Sequence, residues 1–140
     1  RAAGDILKEQ KKNTTDDKKK IENLHKMVQL ARDLREELLR NNIDAMGEIL
    51  RRNWELKREL ASGISNDFID RSYELAVKAG AEGGKLLGAG GGGFMLFYVK
   101  EQNHQRVRNA LSDLKEMPFK FDNKGTTLIH YNKHSLKGRF

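Results

Sequence analysis

Cysteine is absent from this chain, which excludes disulfides and thiolate metal sites. No run of roughly eighteen apolar residues, the length a membrane-spanning helix needs, occurs anywhere. No charged-then-apolar leader opens the sequence either, so neither a membrane span nor a secretory signal is expected. Without thiols or a leader, the expected location is the cytoplasm. The four histidines, His25, His104, His130 and His134, are scattered. Only the last two are neighbours, at a strand end and in the tail rather than on one helix face, so no metal site is expected.

Aromatic residues are only 7% of the chain, and none interleave with the basic ones. This matters because the formal net charge is +7. Lys11-Lys12 and Lys18-Lys19-Lys20 bracket Asp16 and Asp17, and elsewhere the signs alternate, as in Arg32-Asp33-Leu34-Arg35-Glu36-Glu37. Mixed signs along a helix describe a solvated face, and no nucleic-acid motif is visible, so neither nucleic acid nor membrane is an expected partner.

What is present is glycine, concentrated in one place. From Gly83 the sequence reads Gly-Gly-Lys-Leu-Leu-Gly-Ala-Gly-Gly-Gly-Gly-Phe-Met-Leu-Phe-Tyr-Val. Gly88, Gly90 and Gly93 match the G-x-G-x-x-G spacing of dinucleotide-binding turns, but that fingerprint requires a helix to follow. Here Phe94 to Val99 follows, an aromatic and β-branched run that reads as a strand. The element is therefore strand, glycine loop, strand. Its loop, Gly88 to Gly93, is either a wide hairpin turn or a place where bare backbone amides approach a ligand or another chain. The strand is apolar on both faces, with Phe94, Leu96 and Tyr98 on one and Met95, Phe97 and Val99 on the other, so both need cover.

The 140 residues form one expected domain, 34% charged and 37% hydrophobic, in keeping with a helix-rich chain that has a proper core. A short first helix is expected to break at Asn13-Thr14-Thr15, with Thr15 or Asp16 capping a long second one. Ile21, Leu24, Met27, Val28, Leu30, Ala31, Leu34 and Leu38 give that helix an apolar stripe, and Asn41-Asn42 ends it. A third helix runs from about residue 43 to 60 on Ile43, Met46, Ile49, Leu50, Leu56 and Leu60, with Asn53-Trp54 at its middle. Ser65 is the expected N-cap of a fourth, with an Ile64–Ile69 staple and a core side of Phe68, Ile69, Tyr73, Ala76 and Val77, ending at Gly80. A fifth runs on Val107, Ala110, Leu111 and Leu114 until Pro118. Phe119-Lys120-Phe121 and residues 127–131 around Asp122-Asn123-Lys124-Gly125 make a second expected hairpin, and 132–140 a basic tail.

Few residues carry chemistry. Ser65 is better explained as a cap than as a nucleophile, and Glu36-Glu37 lies on a charged helix surface. Two places remain. One is the loop Gly88, Ala89, Gly90, Gly91, Gly92 and Gly93, introduced by Lys85, which is either a solvent-facing strand residue or a phosphate partner. The other is Ser65-Asn66, either simple helix-start chemistry or an anion site built on free amides.

The segment Lys85 to Phe94 resembles the third signature motif of the GHMP kinases, the galactokinase, homoserine, mevalonate and phosphomevalonate kinase superfamily. Ile64-Ser65-Asn66 with Ile69-Asp70, Tyr73 and Ala76 resembles the helix preceding that motif, and Asn53-Trp54 and Pro118-Phe119-Lys120-Phe121 fit the same pattern. The opening, Arg1 to Lys11, is similar to the start of the carboxy-terminal domain in the bacterial kinases of D-glycero-D-manno-heptose 7-phosphate, with the fucose kinases nearby. The resemblance covers nearly the whole chain. It implies an α+β domain, a ferredoxin-like antiparallel sheet backed by helices, and phosphoryl transfer from Mg-ATP to a sugar hydroxyl. It gives Lys85 and Gly88 to Gly93 a role supporting the phosphate loop and lining the cleft, with Ser65 and Asn66 as substrate-side candidates.

The family's ATP loop, a Pro-x-x-x-Gly-Leu-Gly-Ser-Ser-Ala pattern, and the acidic residues that handle magnesium and the acceptor are absent from these residues. The chain is therefore expected to be the carboxy-terminal half of a larger sugar kinase. It would pair with its own amino-terminal kinase domain, which would bind most of the ATP and Mg, and would be inactive alone. The alternative is a non-catalytic ferredoxin-like regulatory domain that binds a small metabolite at the hairpin or pairs with another chain.

Overall fold

Three apolar positions on three different elements, Ile6, Trp54 and Leu86, converge to almost complete burial, and the architecture is arranged around them. The computed structural model describes residues 3–121 together with Lys124, Gly125 and Thr127. Within them lie α1 (Ala3–Asp16), α2 (Lys18–Leu39), α3 (Ala45–Arg58), α4 (Asp67–Lys78), β1 (Ala81–Leu86), β2 (Met95–Val99) and α5 (His104–Ala110). The strands pair antiparallel, Leu86 opposite Met95 and Gly84 opposite Phe97, with an irregularity between Ala81 and Gly83. The class is α+β.

The register divides the hairpin into two faces. Leu86 and Met95 pack with Ile6, Trp54, Leu60, Ile64 and Ile69. Farther along the same face, Ala81, Phe97 and Val99 pack with Ala76, Ala79 and Val107. Lys85, Leu96 and Tyr98 occupy the opposite face, where Lys85 and Tyr98 meet α3. There the Tyr98 hydroxyl donates to Asp44 Oδ1 at 2.6 Å, joining β2 to the start of α3. Both faces of β2 were expected to need cover, and every residue of the strand, on either face, is half-buried.

α3 lies directly on β1, and glycine makes that possible. A Cβ on Gly83 would collide with the Gly47 carbonyl oxygen, and one on Gly47 would stand 2.7 Å from Glu82 Cβ. Any side chain at either position forces helix and strand apart.

Several local expectations need correction. α1 runs through Asn13-Thr14-Thr15 to Asp16. The Thr14 and Thr15 hydroxyls bond back to the carbonyls of Gln10 and Lys11, and Asn13 Nδ2 donates to the Leu60 carbonyl, so these polar groups are satisfied inside a helix. The N-cap of α2 is Asp17, neither Thr15 nor Asp16, and its carboxylate accepts from the Lys19 and Lys20 amides. Asn66, not Ser65, caps α4, with Oδ1 accepting from the Ile69 amide at 3.0 Å. Phe68 and Val77 are exposed, because α4 turns Ile69, Ser72 and Ala76 inward instead. α5 closes at Ala110 with a cap bond from the Leu111 amide to Val107, eight residues before Pro118. Residues 119–121 carry no regular structure. Positions 128–131 of the expected second hairpin, and the tail 132–140, lie outside the described residues.

An aromatic row crosses the core, Trp54 to Tyr73 at 6.4 Å and Tyr73 to Phe97 at 5.7 Å between centroids. Two polar atoms in it, Trp54 Nε1 and Tyr73 Oη, have no hydrogen-bond partner among the described residues. Burial, above all, pushes the Tyr73 phenol above its ordinary pKa. A buried hydroxyl without a partner stabilises nothing. Tyr73→Phe should therefore leave stability at neutral pH unchanged or raise it by up to about 1 kcal/mol. Because the folded phenol holds its proton longer than the unfolded one, the wild type should lose stability as pH rises above about 10 and through the raised folded value. Denaturant titrations across that range should show a smaller loss in the Phe variant. An equal slope in both proteins contradicts the assignment.

Candidate functional site: the glycine loop and its supports

The loop between β1 and β2 is closed at its neck by the Leu87 amide on the Phe94 carbonyl at 2.8 Å. Beyond the neck it leans on the α3–α4 connection, where the Gly91 amide donates to the Ile64 carbonyl at 2.9 Å and Asn66 Nδ2 donates to the Gly91 carbonyl at 3.4 Å. Ile6 of α1 packs behind, its Cδ1 only 2.8 Å from where a Cβ of Gly91 would be. Gly90 sits against Ile64 with φ of 118°, a conformation and a spacing that exclude a side chain.

From beneath, Lys57 of α3 reaches the loop's entry. Its Nζ donates to the Leu86 carbonyl at 3.0 Å and to the Gly88 carbonyl at 2.6 Å. The side chain is buried, and its pKa is lowered by that burial and, second, by the nearby Lys85 ammonium. Lys57 is a residue the sequence reading missed. A signal existed: Leu50, Asn53, Trp54, Lys57 and Leu60 share the three- and four-residue spacing of the buried stripe.

Lys85 is neither a free surface lysine nor aimed at open solvent. Its Nζ donates to Asn53 Oδ1 at 2.6 Å, and burial lowers its pKa. Asn53 and Lys57 stand one turn apart on α3, so the two lysines link neighbouring residues of β1 to one helix face. Neither forms an ion pair among the described residues.

Asn66 is occupied on both sides, by the Ile69 amide and by Gly91. Ser65 Oγ donates to Asp70 Oδ1 at 2.6 Å, and Asp70 also pairs with Arg58 at 3.0 Å. Together they border an open cleft of about 560 Å³ lined also by Glu55, Glu59, Ser62 and Asp67. Its carboxylates outnumber its single guanidinium, so the cleft offers hydrogen-bond acceptors rather than an anion receptor. The structure thus places Asn66 against the loop, with Ser65 on the cleft beside it and Lys85 in the strand that feeds it, tied to α3.

The loop's remaining chemistry is in its backbone. Among the described residues, the amides of Gly88, Ala89, Gly90, Gly92 and Gly93 take no partner. Free amides on an anchored loop suit phosphate oxygens or the carbonyls of another segment. No group of His, Asp or Glu among the described residues is arranged to hold a metal ion, and no described helix is long and apolar enough to cross a membrane.

A sequence model described as GHMP kinases C terminal matches residues 34–117. The chain belongs to the GHMP kinases. Within this family it is 38% identical over 111 residues to the D-glycero-alpha-D-manno-heptose 7-phosphate kinase of Campylobacter jejuni, covering 79% of this chain and 32% of that protein. It is 34% identical over 104 residues to the bifunctional fucokinase/GDP-fucose pyrophosphorylase of Arabidopsis thaliana, covering 74% of this chain and 10% of that one. Among solved structures, L. major mevalonate kinase in complex with R-mevalonate shares the fold, with a TM-score of 0.69 and 17% identity over 81% of this chain and 35% of that one. The GHMP kinase domain described here therefore spans about a third or less of the proteins it matches. The expected family and the α+β class both stand.

The loop's glycines differ in what they tolerate. Gly90→Ala would place its Cβ 2.6 Å from Ile64 Cα at a positive φ and should cost about 2 to 4 kcal/mol. Gly92→Ala, where a Cβ meets open space, should cost less than about 1 kcal/mol. Denaturant unfolding of the two purified variants checks this, and equal costs would show that the loop does not rest on Ile64.

Proposed function

We propose that this chain is the carboxy-terminal domain of an ATP-dependent sugar kinase whose acceptor is D-glycero-D-manno-heptose 7-phosphate, phosphorylated at its anomeric hydroxyl. The observation that carries the reading is the loop Gly88–Gly93, in which five amides without partners among the described residues are presented by a backbone anchored at both ends. The family supports the reaction class. The 38% identity to a heptose 7-phosphate kinase supports the acceptor.

Phosphoryl transfer requires positioning and charge neutralisation from several elements at once. Bound Mg-ATP supplies the phosphoryl group and is held mainly by an amino-terminal kinase domain. The free amides of the loop support the phosphate-binding segment of that domain and border the substrate. Lys85, fixed by Asn53, holds β1 under the loop. Ser65 and Asn66 stand on the substrate side, where an acceptor-rich cleft suits sugar hydroxyls. Leu87 and Phe94, 40% and 59% exposed at the neck of the loop, present apolar surface for the amino-terminal domain to cover.

The full-length product of the encoding gene, incubated with Mg-ATP, should phosphorylate the heptose phosphate in preference to galactose, fucose and mevalonate. The 140-residue chain alone should turn over none of them. Turnover only with another acceptor overturns the heptose assignment. Silence with all four from a folded protein favours the non-catalytic, metabolite-binding alternative, and sugar-dependent ATP consumption by the chain alone refutes its dependence on a second domain.

A further inference from the structure

We propose that Lys57 is a positioning residue, which sets the direction of the loop's free amides by gripping the carbonyls of Leu86 and Gly88. The inference rests on the kinase reading only for the catalytic consequence; the geometric claim stands on the contacts themselves.

The argument follows from peptide geometry. In a planar trans peptide the carbonyl and the following N–H point in opposite directions. Holding Gly88 O toward α3 through Lys57 Nζ at 2.6 Å therefore turns the Ala89 N–H away from α3. That amide is one of those without a partner. Holding Leu86 O at 3.0 Å likewise sets the Leu87 N–H, which closes the neck on Phe94. At the far side, Asn66 on Gly91 O fixes the Gly92 N–H in the same way. A buried ammonium and a buttressing side-chain amide thus aim two of the five free donors.

Packing alone does not account for a lysine here. The residue is 8% exposed and has no carboxylate partner among the described residues, so a methionine of similar length would fill the space without burying a charge. What the ammonium adds is two directed hydrogen bonds to carbonyls two residues apart.

The test uses the full-length gene product and Lys57→Met beside the wild type, with hydrogen exchange, thermal unfolding and turnover with Mg-ATP and whichever of the four acceptors is active. Exchange at the Leu87 and Gly91 amides should rise by about tenfold or more in the variant, while amides of α2 and α4 stay unchanged. Turnover per folded molecule, well below the unfolding temperature, should fall by about tenfold or more. Lys57→Arg, which keeps the cation and its donors, should recover part of both. Unchanged exchange at Leu87 and Gly91 overturns the proposal. So does a lower unfolding temperature with undiminished turnover per folded molecule, which is the signature of a packing role. If the wild type is inactive with every acceptor, the kinase reading fails, and the exchange comparison still decides the positioning claim. Should the Met variant not fold, Lys57→Gln carries the same comparison, with one donor group retained and the charge removed.

Discussion

Two glycines, Gly47 on α3 and Gly83 on β1, let a helix backbone touch a strand backbone, and the positions of the functional groups follow from that contact. From Gly47 to Lys57 the helix advances about 15 Å at 1.5 Å per residue. Alongside it β1 runs on from Gly83 to Leu86, so a helix pinned at Gly83 brings Asn53 to Lys85 and Lys57 to the carbonyls of Leu86 and Gly88. Wider spacing at the glycine pair would lift both lysine contacts out of reach together. The exposed ion pairs on the same helix, Arg51 with Glu48 and Glu55, have no comparable leverage, since surface pairs contribute about 0 to 1 kcal/mol each.

Much of this was legible before any coordinates. The hairpin, its loop, the five helices and the family were all readable, because glycine clusters, strand runs and three-to-four spacing are local signals. Helix limits were less so. Asn13-Thr14-Thr15 reads as a break, yet Asn13 is satisfied by Leu60, a partner 47 positions away that no local pattern announces. Phe68 reads as core by hydrophobicity and lies on the outward side of α4, where only the observed packing of Ile69, Ser72 and Ala76 sets the phase.

The site was legible in part for a similar reason. Glycines advertise a loop, but they do not say what holds it. Lys57 sits in a charged run, Glu55-Leu56-Lys57-Arg58-Glu59, where a lysine ordinarily faces water; its burial follows from the phase of α3 and the closeness of β1. Asn66 was named for its place at a helix start, whereas its strut to Gly91 is a tertiary fact. Ser65 donates to Asp70, a pairing with the α4 carboxylate that also engages Arg58. The loop is therefore shaped by residues whose types look unremarkable one at a time.

α1 adds something of a different order. Ile6, entirely enclosed, presses on the back of Gly91, while Asn13 of the same helix ties to Leu60. This helix lies ahead of residues 34–117, the span that the family model matches. Trimming or enlarging that one aliphatic side chain would change how tightly the loop is backed without altering a single glycine. The firmness of the loop is thus set in part by a side chain outside it.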